Sequence, residues 1–181
     1  MVKVYVASRN PIKLEECLQV FPDAVPFDIE LTEIQSPDPE VVVRHKLDQV
    51  VGAGLDAPVL VEDTGLAVLH WERLPGALIK WFVEEFSLDR LSEVLRAEGP
   101  DSAVATSAVG VAFRGETRVW CGRTEGRIVP ARGDLGGWTP IFEVAGTGRT
   151  LGEMSFEERM RHTMRAEPLR LAQAWLDTVG H

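Results

Sequence analysis

The chain has 181 residues, 45% of them hydrophobic and 26% charged, enough for one ordinary domain that buries a core without disulfides or a structural metal. Its 28 acidic residues against 19 basic give a net charge of −9, which disfavours a nucleic-acid surface, since that needs clustered Lys and Arg. A small phosphorylated ligand is compatible with this charge, because a few placed cations and a divalent metal suffice to hold one. No apolar run approaches the ~20 residues that cross a bilayer. Cys17 and Cys121 lack metal or CxxC spacing and suggest reduced thiols in a cytoplasmic protein.

Val2, Val4 and Val6 alternate at once after Met1, which predicts a first strand rather than a signal peptide. Asn10-Pro11 then supplies a helix cap and a first helical residue, and Leu14, Cys17, Leu18 and Phe21 give the inward stripe of that helix. Phe27, Ile29 and Leu31 alternate as a second strand ending near Glu33. Asp38-Pro39 repeats the cap and starts a helix with Val43, Leu47 and Val50 inward. Val59-Leu60-Val61 reads as a short buried strand that runs straight into Glu62-Asp63. A capped helix follows over 87–96. Two β segments over 102–113 and 117–121 meet at Arg114-Gly115, and a third carries 126–129. Residues 130–137 form a glycine-rich loop. Thr150 to Glu153 and Ser155 to Glu158 both have capping-box form, the second better placed before a polar helix. Pro168 kinks or restarts that helix, and Leu171, Ala172, Trp175 and Leu176 are expected inside. The order βαβαβ, helix, β-rich block, helices predicts one α/β domain over 1–181 with a mixed sheet.

Three places can carry chemistry. The loop Ser8-Arg9-Asn10-Pro11-Ile12-Lys13 joins a strand to a helix N-terminus, whose free N–H groups and dipole favour an anion. Taken alone it reads more readily as a plain helix cap with a solvated lysine, being neither a Walker A nor a Rossmann pattern. Glu62-Asp63-Thr64-Gly65 places two acids after an apolar strand, where α/β proteins hold ligands. Because strand residues alternate faces, both acids enter one cleft only if the strand has already ended. A solvated or salt-bridged strand end is the alternative. Glu33 adds a further oxygen, and Mg²⁺ typically takes one or two carboxylates with water and phosphate completing its shell. Lys80 follows a Pro75-Gly76 turn, and Trp138 sits beside Gly136-Gly137, placed either to stack on a base or to pack in the core. His45, His70, His162 and His181 are scattered without metal or triad spacing.

These segments, in this order, resemble the inosine triphosphate pyrophosphatase family. The matching stretches are Ser8-Arg9-Asn10 through Lys13-Leu14-Glu15-Glu16, Val61 to Leu66, Leu74-Pro75-Gly76 with Ile79 to Phe82, Gly122-Arg123-Thr124 with Gly126-Arg127-Ile128, Gly137-Trp138, and Thr150 with Glu153-Met154. The resemblance implies an elongated fold of two lobes around a central mixed sheet with flanking helices, a nucleotide cleft between the lobes, and a homodimer. It implies Mg²⁺-dependent cleavage of a nucleoside triphosphate to monophosphate and pyrophosphate. Ser8, Arg9, Asn10, Lys13, Lys46, Thr64, Lys80, Gly137, Trp138, Thr139, Arg159 and Arg165 would contact substrate. Glu33, Glu62 and Asp63 would hold the metal, with Asp63 also the general base. The base-reading end departs from the family, with Thr139 where an Asp is usual and Thr163-Met164-Arg165 where Ser-His-Arg is usual. A nucleotide-binding sensor without turnover is the competing reading. The related septum-inhibitor (Maf-type) pyrophosphatases fit less well, because Ser8-Arg9-Asn10-Pro11 lacks their arginine pair.

Overall fold

The computed structural model describes residues 3–180; Val2 of the expected first strand and His181 lie outside them. The strands are β1 (Tyr5–Val6), β2 (Val25–Pro26), β3 (Val59–Val68), β4 (Pro75–Gly76), β5 (Ser102–Phe113), β6 (Glu116–Ile128) and β7 (Phe142–Val144). The helices are α1 (Pro11–Val20), α2 (Pro39–Gly52), α3 (Ile79–Glu85), α4 (Leu88–Arg96), α5 (Phe156–His162) and α6 (Ala166–Val179). The strands form one mixed sheet in the order β2-β1-β3-β5-β6-β7, with β4 paired to β3 off that path.

Three long antiparallel strands, β3, β5 and β6, run through both lobes. At one end α1 and α6 cover one face of the sheet, burying Cys17, Phe21, Leu169, Ala172 and Leu176 against Leu60, Val109 and Val111. On the opposite face α2 buries Val43, Leu47 and Val50 against Val59, Val61 and Ala108. The other lobe packs α3, α4 and β7 around Leu66, Leu91, Leu95, Ile141 and Phe142. The expected two-lobed mixed α/β fold is present.

One edge of β3 is interrupted. β5 covers the whole of the other edge, from Val59 to Val68. Here β1 pairs only as far as Leu60, and β4 resumes only at Leu66. The residues between, including Glu62 to Gly65, have no strand beside them. Gly65 and Gly76 allow the close crossing at the far side of this notch. A Cβ at Gly65 would lie 2.9 Å from Ala77 N and 3.0 Å from Pro39 Cγ, and Gly76 has φ +57° with Pro37 O 2.1 Å from where its Cβ would stand.

Several sequence expectations are corrected. The second strand is Val25–Pro26, not Phe27 to Leu31; the chain over 27–36 is irregular and lines the cleft, its last sheet-like bond being Phe27 N to Val6 O. Its alternation reflects contact with a cavity wall rather than a ladder. β3 does not stop at Val61 but continues for seven more residues. The expected third β segment is the end of one continuous strand, β6, and β7 was not anticipated because Phe142-Glu143-Val144 is too short to show a period. Leu18 and Leu171 are exposed, while Leu169 is buried in place of Leu171. Of the two capping boxes, Thr150 to Glu153 makes both reciprocal bonds yet closes only a turn. Ser155 caps the short α5, and Pro168 falls in the first turn of a separate helix.

Candidate active site

The notch in the sheet opens into a cavity of about 650 Å³ between the lobes. Its floor is built by elements whose ends the sequence defines locally. Asn10 accepts hydrogen bonds from Ile12 N and Lys13 N, and Pro11 opens α1, so the helix starts at the cavity wall with Lys13 in its first turn. Asp38 accepts from Glu40 N, and Pro39 opens α2, which carries Lys46 to the other side.

Glu62 and Asp63 sit in mid-strand and point to opposite faces, as alternation requires. Both nevertheless line the cavity, which corrects the expectation that the strand must end first. The missing neighbour explains it: where β3 has a bare edge, one cleft reaches around that edge to both faces.

The two carboxylates live in different company. Glu62 is buried, and its Oε1 accepts from Arg165 Nε at 2.9 Å, Ser107 Oγ at 2.8 Å and Thr64 Oγ1 at 2.8 Å. Its Oε2 lies 2.6 Å from Lys13 Nζ as an ion pair. Burial alone would raise the Glu62 carboxyl, but Lys13 and Arg165 outweigh it and hold it well below the usual carboxylate range. Asp63 has one cation at the edge of reach, Lys46 Nζ at 3.7 Å. Burial pushes its carboxyl up to about 6, with Lys13 and Lys46 only partly opposing.

Lys46 is itself nearly buried, 2.5 Å from Glu33 Oε1 and donating to the Glu62 carbonyl at 3.3 Å, a carbonyl on the bare edge. Glu33 is also 3.8 Å from Lys80. Burial would raise Glu33, but the hydrogen bond and charge of Lys46 take it below its ordinary value.

The anticipated residues Ser8, Arg9, Asn10, Lys13, Lys46, Thr64, Lys80, Gly137, Trp138, Thr139 and Arg165 all line the cavity, as do Glu33, Glu62 and Asp63. Arg159 does not; its guanidinium is buried and paired with Glu15 and Glu16. Arg9 pairs with Asp28 in solvent. Trp138 is buried edge-on to Phe142 in the core of the second lobe and shows the cavity only part of its surface. The Thr139 hydroxyl donates to Leu135 O and Gly136 O, so it folds its own loop. Met164 is buried and is not part of the cavity wall.

Sequence reasoning missed Glu16 as a functional position, although it is 1% exposed and bound to Arg159, Thr163 and Arg165. Its signal was a carboxylate one helical turn from Lys13 and next to the inward Cys17. Ser107 was also missed; a hydroxyl on the alanine- and valine-rich β5, in register with Thr64, was the clue.

No group of three or more His, Cys, Asp or Glu side chains converges as a metal site among the described residues. Glu33 and Asp63 fit a hard divalent cation in a narrower sense. They flank the Lys46 ammonium, so one positive charge already stands between two oxygens. Glu62, with its oxygens engaged by two cations and two hydroxyls, does not complete that set.

The fold and cleft define an α/β protein with a lysine-bearing cleft beside two carboxylates. The sequence matches the Ham1 family over residues 4–175, and the chain belongs to that family. Among its relatives is a protein of Puccinia graminis f. sp. tritici named inosine triphosphate pyrophosphatase, 36% identical over 160 residues that cover 87% of this chain and 81% of the relative. A Kluyveromyces lactis protein of the same name is 31% identical, covering 98% and 97%. The fold is similar to that of the Staphylococcus aureus Ham1 protein, with TM-score 0.79, 24% identity and coverage of 97% and 98%. It is similar also to a nucleoside-triphosphatase (dITP/XTP pyrophosphatase) of Mycobacterium abscessus, with TM-score 0.70, 27% identity and coverage of 95% and 98%.

Proposed function

We propose that this protein hydrolyses a nucleoside triphosphate to the monophosphate and pyrophosphate, with Mg²⁺ as cofactor. The observation that carries this is the placement of Asp63, a half-buried carboxylate in the interrupted part of β3 facing a cleft ringed by Lys13, Lys46 and Lys80. A base works best when its pKa lies near the working pH, and Asp63 at about 6 is ionised at neutral pH yet takes up a proton readily. Asp63 accepts a proton from water as that water bonds to the α-phosphorus. The bond from α-phosphorus to the bridging oxygen breaks, and pyrophosphate leaves with the electron pair.

Lys13 and Lys80 neutralise the leaving phosphates, and the positive end of the α1 dipole faces the same charge. Glu33 and Asp63 would hold Mg²⁺, which when bound stabilises the charge on the phosphoryl oxygens. Lys46, released from between them, would serve phosphate instead. Arg9, Asn10 and Thr64 complete the polar wall.

The base end supports a wide substrate choice. Ile12, Ile79 and Val83 line the cavity together with Gly136, Gly137 and one side of Trp138, while the Thr139 hydroxyl is spent on its own loop. A pocket without a committed hydrogen-bond donor rejects the wrong base weakly. The panel ITP, XTP, dUTP, dTTP and the four common nucleoside triphosphates, assayed for pyrophosphate with Mg²⁺, tests both points. Cleavage of several bases within about 100-fold in kcat/KM is expected. Release from none of them overturns the function in favour of a non-hydrolysing sensor.

The reading extends to one catalytic unit over 1–181, supported by strands shared between the lobes, and to a cytoplasmic homodimer, which sedimentation would check. No helix among the described residues is long and apolar enough to cross a membrane.

A further inference from the structure

Arg165 lines the cavity, yet each of its three nitrogens already donates to a neighbouring side chain. Nη1 donates to Glu16 Oε2 at 2.9 Å, Nε to Glu62 Oε1 at 2.9 Å and Nη2 to Thr64 Oγ1 at 3.0 Å. Glu62 passes the contact to Lys13 through its other oxygen, and Lys13 stands on α1 three residues before Glu16. The four side chains therefore form a chain of contacts, Glu16 to Arg165 to Glu62 to Lys13, whose two ends stand one turn apart on α1. Its two acids and the Arg165 guanidinium are buried, and the Lys13 side chain is 19% exposed, so the chain shows one ammonium to the cleft. Thr163 Oγ1 and Arg159 Nε hold the remaining acceptor sites of Glu16 at 2.8 and 2.9 Å.

We propose that Glu16 and Arg165 are positioning residues that act through Glu62 on Lys13, setting where the ammonium meets phosphate. The inference rests on the reading of Lys13 as a phosphate contact. It assigns Arg165 to the phosphate end of the cleft, and Glu62 to the lysine instead of a metal. A flexible lysine stem pays rotamer entropy when it is fixed on a ligand. A buried carboxylate with one oxygen committed to an arginine has its other oxygen fixed in space, and that oxygen fixes the lysine head.

The test uses inorganic tripolyphosphate, which has no base, with binding measured by calorimetry in EDTA. Lys13→Met should weaken it about 10- to 100-fold, the worth of one charge-assisted contact. Glu16→Gln and Arg165→Lys should each weaken it about 3- to 10-fold, and should lose nothing further, within about 2-fold, in a Lys13→Met background. With nucleoside triphosphates the same variants should raise KM by one common factor for every base. Equal losses with and without Lys13 would overturn the proposal. So would unchanged tripolyphosphate affinity beside a loss that varies with the base, the signature of Arg165 reading the base directly. Melting curves accompany each variant; if Arg165→Lys does not fold, Glu16→Gln, which keeps the side chain's shape, decides the matter alone. A wild-type protein that binds tripolyphosphate but cleaves no nucleoside triphosphate breaks the proposed function and leaves this inference intact.

Discussion

Glu62 and Asp63 are neighbours on one strand, and the two faces of that strand treat a carboxylate in opposite ways. The face toward α1 and α6 surrounds Glu62 with two cations and two hydroxyls and stabilises its charge. The face toward α2 gives Asp63 burial and one cation at 3.7 Å, and leaves its charge costly. A charge-paired carboxylate is a structural anchor; an under-paired one is chemically available. On the reading of Asp63 as the base, its reactivity comes from withheld partners.

The strongest way to break that comparison is Asp63→Asn. It is expected to lower kcat by about 10²–10⁴, the worth of a positioned general base. It should leave melting unchanged or raise it, since neutralising a destabilised charge is worth up to ~3 kcal/mol at neutral pH. Retained turnover removes Asp63 as the base. Glu62→Gln is the mirror experiment. It strands Lys13 and Arg165 beside a neutral group and should cost about 3–5 kcal/mol of stability, near 10 °C in Tm. Calorimetric melting checks it, and a Tm within a degree or two of wild type would mean the pairs contribute little.

The pH dependence separates the two without removing either side chain. Asp63 has a folded pKa raised from 3.8 to about 6, so its contribution to stability is greatest below pH 4 and declines as pH rises to 6. Glu62 has a depressed pKa, so its contribution is present above about pH 4.5 and is lost as pH falls further. In metal-free buffer, Asp63→Asn should therefore gain on wild type between pH 4 and 7, while Glu62→Gln should approach wild type as pH drops below 4. The smallest effect sharpens the metal assignment. Glu33→Gln should raise the Mg²⁺ concentration for half-maximal rate about 10-fold, by loss of one ligand, while Glu62→Gln leaves that concentration near the wild-type value.

Much of this was legible in the sequence for local reasons. Asn10-Pro11 and Asp38-Pro39 announce two helix starts because capping is a matter of two or three adjacent residues. The acids after Val61 marked the cleft because a charge on a buried strand demands a reason. What could not be read depended on residues far apart in the chain. That β3 keeps pairing past Asp63 is decided by β5, some forty residues later. That Arg165 turns toward Glu16 and Glu62 is decided by contacts across 149 and 103 positions. Thr139 showed as a departure from the family pattern, but the use of its hydroxyl inside its own loop shows only in three dimensions.

The notch in the sheet also bears on how the chain behaves among its own copies. An unpaired strand edge is a template on which a second chain can add, and proteins guard such edges with charge and by keeping them short. Here the bare stretch is bracketed by β1 and β4, and the Lys46 ammonium occupies the Glu62 carbonyl that an incoming strand would need. The opening that admits a phosphate-bearing ligand is thereby too short and too charged to admit a strand, so the protein carries a site in the middle of its sheet without carrying an aggregation seam.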